Sequence, residues 1–144
     1  MKTRINLFEV EPNGYKAMLS LEKYLATTSI TKTHAELIKI RASQINGCAF
    51  CLDMHTKDAR KNGETEQRIY TVSAWRDTPF FTPEEQALLA LTEEVTLIAN
   101  HVKDETFSNA VALLGEKYVS EVIMLIITIN GWNRIAITTG MMPK

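Results

Sequence analysis

Val122, Ile123, Met124, Leu125, Ile126, Ile127 and Ile129 follow one another with only Thr128 between them. A helix built from this stretch is apolar on most of its sides and has to be buried on most of them. The unbroken run, Val122 to Ile127, is far short of a membrane span. Its cover must therefore come from the rest of the chain or from a second copy. No segment alternates cleanly enough for a half-buried strand, and no Asn-Gly or Asp-Gly sits between two β-rich runs. The expectation is an all-α helical bundle of about six to seven helices.

The segments follow from periodicity and punctuation. A first helix is expected over about residues 14–26, with Tyr15, Met18, Leu19, Leu21 and Leu25 apolar. A second covers about 32–44, with Leu37, Ile38, Ile40 and Ala42 inward. A third carries the cysteines and ends near 61–62, where Gly63 suits a cap. The fourth covers about 64–75, before Asp77-Thr78-Pro79 breaks the chain. Thr82-Pro83-Glu84-Glu85 is a strong helix start, with threonine at the cap, proline at the first position and glutamate at the third. Leu88, Leu89, Leu91, Val95, Leu97 and Ile98 give that fifth helix its apolar face. A sixth runs over about 104–114 and stops at Gly115, and the last over about 118–139.

With 144 residues, 1–144 reads as a single domain. The formal net charge of -1 offers no basic field for nucleic acid or anionic lipid, so neither is an expected partner. No apolar stretch follows a basic start, so no secretory signal is expected and a cytoplasmic location is the default. In that compartment two cysteines held as Cys-x-x-Cys point to redox chemistry or metal binding more than to a structural staple.

Cys48 and Cys51 are the only cysteines, and His55 follows four residues later. On a helix starting near Cys48 the three side chains fall at i, i+3 and i+7, one stripe of one face. Two thiols one turn apart can close a disulfide with little backbone movement. Only a thiolate is a competent nucleophile, and histidine titrates in the range where it can take and return that proton.

The pattern Glu36, Arg41, Ser43, Gln44, Asn46, Gly47, Cys48, Phe50, Cys51, His55 resembles the alkyl hydroperoxidase D core of the carboxymuconolactone decarboxylase-like superfamily. Glu36 stands twelve residues before Cys48, as in that pattern. Asn130-Gly131-Trp132-Asn133-Arg134 resembles the last-helix motif of many single-domain members, so the likeness extends over about residues 7–143. The resemblance implies an all-α fold and a peroxidatic dithiol cycle. Cys51 would attack the peroxide and become a sulfenic acid, and Cys48 would resolve it to a disulfide. A dithiol reductant protein would reduce that disulfide, and Glu36 and His55 would relay protons. No bound cofactor or metal is implied. The resemblance also points to a homo-oligomer: a dimer, trimer or hexamer.

One position departs from the pattern. The best-studied type of member has a histidine beside the second cysteine, and here that residue is Phe50, which cannot relay protons. Helix-terminus electrostatics favour a thiolate at Cys48, whereas the family assigns attack to Cys51. The two agree if Cys48 faces outward to the reductant and Cys51 lies deeper beside His55.

Other readings compete. The cysteines could be small buried apolar residues. Zinc could use Cys48, Cys51 and His55 with a fourth ligand from His34, His101, Glu36 or Asp53, although a structural zinc usually draws on two separated pairs. Thr33-x-x-Glu36 could be a capping box. Trp132, Asn133 and Arg134 could form a packed interface with one buried polar contact instead of a substrate site. His34 and His101 read as ordinary surface or loop histidines. Met54 could line a pocket, and Arg41 and Ser43 brace a helix junction. The leading function is a thiol-dependent peroxidase or disulfide oxidoreductase. The alternatives are a non-catalytic redox-sensing or binding module and, further off, a small-carboxylate decarboxylase, a branch that usually lacks the cysteine pair.

Overall fold

In the computed structural model, which describes residues 2–144, the chain runs α1 (Leu7–Val10), α2 (Pro12–Leu25), α3 (Lys32–Asn46), α4 (Ala49–Lys61), α5 (Glu66–Thr71), α6 (Pro83–Thr96), α7 (Asp104–Leu114) and α8 (Glu116–Thr139). Two 3₁₀ segments, Val72–Asp77 and Ile98–Asn100, flank α6. The described residues contain no strand. The all-α expectation holds, with the short α1 as an addition.

The central elements are α8 and α3. Val119, Val122, Leu125 and Ile126 of α8 pack with Ile38 of α3, Leu88 and Leu91 of α6 and Ala110 of α7. The opposite face of α3 puts Leu37 and Ile40 into a second cluster with Ala59, Ile69, Val72, Trp75, Phe81 and Leu89. Each such side chain contributes about 1.5–3 kcal/mol when fully buried. By length and composition α8 could cross a membrane, with a mean hydropathy of 1.3 over its most apolar window, but half of that window is buried in this bundle. Helix α2 buries none of its side chains fully and lies against α8 as a half-covered flap.

Local chemistry sets the helix ends. The Thr82 hydroxyl accepts from the Glu85 N–H at 3.2 Å, and the Glu85 carboxylate accepts from the Thr82 N–H at 2.9 Å, the capping box expected there. Thr31, not Thr33, caps α3, through the His34 N–H, so Glu36 is not part of a capping box. The expected fourth helix divides at Thr71. Beyond it the backbone departs from helical geometry at Ala74 and turns Trp75 into the core. There the indole N–H donates to Glu93 at 2.9 Å. The expected fifth helix ends at Thr96, which leaves Leu97 and Ile98 exposed beyond it.

Two carboxylates tie these elements together. Glu93 accepts from Arg41 at 2.9 Å and pairs with Arg76 at 2.6 Å, so Arg41 joins α3 to α6, and it also donates to the Gln44 side chain at 3.1 Å beside the junction after α3. Glu85 accepts two hydrogen bonds from the Arg68 guanidinium, at 2.7 and 3.0 Å. Burial raises the pKa of both carboxyls, but the donors outweigh it and hold both below their ordinary value.

A carboxyl depressed in the folded state contributes stability above its unfolded pKa and loses it as pH falls through the folded one. The Tm should therefore stay level from neutrality to about pH 5 and fall steeply below about pH 4. Glu85→Gln should lower the Tm at neutral pH and flatten the acid limb. A variant as acid-sensitive as the parent would contradict this assignment.

Candidate active site

The site hangs from the end of α3. Gly47 takes a left-handed conformation (φ 70°), and its N–H and that of Cys48 bond back to the carbonyls of Gln44 and Ser43 at 3.3 and 3.0 Å. This Schellman closure needs a residue tolerant of positive φ. It turns the chain so that Cys48 becomes the N-cap of α4, its sulfur accepting from the Cys51 N–H at 3.3 Å. Ser43 thus braces the junction as expected. Cys48 and Cys51 are joined as a disulfide, with Cα atoms 5.3 Å apart.

Asparagines fix this junction to α8. Asn46 donates to Asn130 and Asn133, each at 2.9 Å. Asn133 donates to the Ser43 hydroxyl at 3.0 Å, and Asn130 to Thr96 at 3.1 Å. The sequence reading allowed one buried polar contact here; the structure has a network spanning α3, α6 and α8. Arg134 donates to the Asn130 carbonyl at 3.2 Å. Trp132 turns the other way and donates its indole N–H to Glu22 of α2 at 2.9 Å, with its ring edge-on to Tyr15.

His55 lies one turn below Cys51 on α4, and its Nδ1 is 3.1 Å from Oε2 of Glu36 on α3. Both side chains are buried. Lys39 reaches the other carboxylate oxygen at 3.4 Å. Burial alone would raise the Glu36 pKa, but the His55 hydrogen bond and the Lys39 charge bring it below the ordinary value. An ionised carboxylate only accepts, so the nitrogen facing it, Nδ1, carries a proton. The four sequence-predicted residues form two pairs, a disulfide and a carboxylate–imidazole dyad.

A cavity of about 280 Å³ opens on these residues. Cys51 and His55 line it, with Lys39 and Glu22 as its other polar groups. Tyr15, Phe50, Met54, Trp132, Ala136 and Met141 supply the apolar wall. Cys48 is not among the lining residues and is 1% exposed. The expectation that Cys48 faces outward is overturned. The N-cap position tucks its sulfur into an apolar cluster with Cys51 and Ala136.

The donors expected for zinc do not converge. The sulfurs are bonded to each other, His34 Nδ1 lies 2.6 Å from the Tyr118 hydroxyl, Asp53 pairs with Lys57, and His101 is exposed. Glu36, His55 and the exposed Asp58 have potential ligand atoms within 4.8 Å of one another, a grouping the sequence reading missed. The spacing of Asp58, three residues after His55, was the available signal. Glu22 and Lys39, the other polar groups on the cavity, were also missed; nothing in the pattern around them marks a site.

Residues 12–94 match the carboxymuconolactone decarboxylase family, and the chain belongs to it. It is 49% identical over 141 residues to the uncharacterized protein YdfG of Bacillus subtilis, covering 97% of this chain and 96% of that one. A crystal structure of a protein of unknown function from Agrobacterium tumefaciens, provisionally named as an AhpD antioxidant defence protein, is 40% identical. It superposes with a TM-score of 0.96 over 99% of both chains. An uncharacterized peroxidase-related protein from Ralstonia eutropha, with an alkylhydroperoxidase AhpD core, shares the fold. Its TM-score is 0.84 at 19% identity, over 95% of this chain and 74% of that one. The fold is AhpD-like, and the Cys48–Cys51 pair fits a redox role.

Glu36→Gln removes the charge that holds the imidazole while keeping its shape. Alkylation of Cys51 by iodoacetamide in the reduced variant should slow about tenfold or more at neutral pH, with the far-ultraviolet circular dichroism unchanged. A rate equal to the parent's would separate the dyad from the thiol.

Proposed function

We propose that the protein is a thiol-dependent peroxidase acting on a small hydroperoxide. The observation that carries this reading is the shared cavity: Cys51 opens onto it beside an imidazole held by an ionised carboxylate. In the reduced protein, Nε2 of His55 takes the Cys51 proton. The thiolate attacks the terminal peroxide oxygen, the O–O bond breaks, and the alcohol leaves with the proton from His55. Cys48 then attacks the sulfenic sulfur, the S–O bond breaks, and water carries away the oxygen with the Cys48 proton. An external dithiol reduces the resulting disulfide. A centre that has to be re-reduced each cycle suits a reducing compartment, which supports a cytoplasmic location. Phe50 supplies apolar wall where the best-studied relatives carry a second proton carrier, so proton transfer rests on His55 alone.

Steady-state consumption of a hydroperoxide with dithiothreitol tests this. Cys51→Ser should abolish turnover, and Cys48→Ser should leave a Cys51 sulfenic acid that dimedone traps. An unreactive parent, or trapping at Cys48 instead, would defeat the reading.

We infer further that the chain forms a homo-oligomer through the groove between α6, α7 and α8. Ile98, Phe107 and Ile127 stand about half exposed there, beside Val102 and Ile123, and Arg134 is the only charged residue lining the groove. A contiguous apolar surface of this kind marks an association site, and closed symmetry lets one such stripe cover its own copy. Light scattering at micromolar concentration should give at least twice the 16.3 kDa chain mass. A monodisperse monomer would contradict it.

A further inference from the structure

Helix α2 is unpacked on the side that faces α3. Close-packed interiors hold few voids larger than a water molecule, yet two cavities separate these helices. One is the 280 Å³ cavity at Cys51. The other, of about 440 Å³, lies between Leu25 at the end of α2 and Ala35 and Glu36 near the start of α3. Glu22 of α2 and Lys39 of α3 are the two residues that line both. They carry opposite charges but are not paired with each other. Glu22 accepts from the Trp132 indole N–H at 2.9 Å, and Lys39 reaches Glu36 at 3.4 Å.

What holds α2 is α8. Tyr15, Met18 and Glu22, at i, i+3 and i+7, meet Gly131 and Trp132. A Cβ at Gly131 would lie 2.9 Å from the Met18 methyl, so only a flexible side chain separates α2 from the α8 backbone there. The chain on either side of α2 is tied to α8 as well. Before it, the Arg4 N–H and guanidinium donate to the carbonyls of Thr139 and Thr138, each at 2.8 Å. After it, the Ser29 hydroxyl donates to Glu121 at 2.6 Å and the Thr31 N–H to the Tyr118 hydroxyl at 3.2 Å. A helix fixed at both ends and open on one flank can roll about the line that joins those ends.

We propose that α2 is the lid of the Cys51 cavity and that Glu22 is its latch, held open on Trp132 and closed on Lys39. Rolling toward α3 carries Tyr15 and Glu22, the α2 part of the cavity wall, over Cys51. The carboxylate exchanges the indole N–H for the ammonium, a charge-assisted contact in a cavity with mostly apolar walls. Two alternative partners for one carboxylate give the helix two discrete positions. Closure shields the Cys51 thiolate from bulk water. The lid needs only the cavity and the two partners of Glu22, so it stands or falls independently of the peroxidase reading.

Zero-length cross-linking probes the closed contact directly, because a carbodiimide joins a carboxylate to an amine only where the two meet. In the full-length oxidised protein a Glu22–Lys39 amide should form. In Trp132→Phe, which keeps an aromatic ring and loses the N–H, its yield should rise about threefold or more. Access to Cys51 gives the second readout. In reduced Cys48→Ser protein, Cys51 is alkylated by iodoacetamide and by the larger N-phenylmaleimide. Adding Trp132→Phe should lower the phenylmaleimide-to-iodoacetamide rate ratio about threefold or more and slow amide exchange in α2. A change in thiol acidity cancels in that ratio, since both reagents meet the thiolate. Adding Glu22→Gln as well should restore the ratio, because an amide has no charge to offer Lys39. A merely loosened α2 gives the opposite sign, with a higher ratio and faster exchange. The proposal is overturned by that sign or by a ratio that Glu22→Gln does not restore. It is overturned equally by a parent protein that yields no Glu22–Lys39 linkage, a result that decides the matter even if Trp132→Phe does not fold.

Discussion

The Asn46 amide donates to two α8 side chains at once, and the site depends on that contact. It fixes the last turn of α3 against α8, the longest helix of the bundle. From that turn Gly47 reverses the chain and starts α4 with Cys48. Any slippage of α3 along α8 would move Cys51 and His55 relative to Glu36, because Glu36 rides on α3 and the other two on α4. Apolar packing of Ile38 and Leu37 on opposite faces of α3 supplies the adhesion but not the register. Hydrogen-bonded amides supply the register, since a shift of one residue would leave several buried polar groups unpaired.

The dyad and the disulfide divide the electrostatic work. The sulfurs sit in an apolar cluster that disfavours charge. The carboxylate that offsets this lies on the neighbouring helix, bonded to the imidazole on one oxygen and to Lys39 on the other. Lys39 helps keep Glu36 ionised, so the carboxylate stays an acceptor for the imidazole Nδ1. The cavity wall is mostly aromatic and methionine, and such walls exclude water and strengthen the interactions of the few polar groups on them.

Much of this was legible in the sequence. The Thr82-Pro83-Glu84-Glu85 start, the stop at Gly115 and the inward set on α3 follow from local chemistry, and the structure has all three. The Cys48, Cys51, His55 stripe was legible because helical spacing alone brings those residues together. Glu36 needed the family spacing, since nothing local tells a distant carboxylate which histidine it will meet. The misses have physical causes. Trp75 broke the expected fourth helix because its N–H had a half-buried acceptor in Glu93, eighteen residues away. The burial of Cys48 was missed because helical spacing assigns a face and not a depth; Ala136 and Met141, far along the chain, cover it. The asparagine network was hidden because the partners of Asn130 and Asn133 lie on α3 and α6.

The central claim is that the Cys48–Cys51 pair, driven through His55 and Glu36, is a two-electron centre that turns over on peroxide. A single-turnover experiment addresses it most directly. Reduced protein is mixed with less than one equivalent of an alkyl hydroperoxide, and intact mass, free thiols and released alcohol are measured together. The account predicts one alcohol formed and two thiols lost per peroxide consumed, with a mass change of two hydrogens and a Cys48–Cys51 linked peptide on digestion. Unconsumed peroxide, or added oxygen on the protein with the two cysteines unlinked, would contradict it.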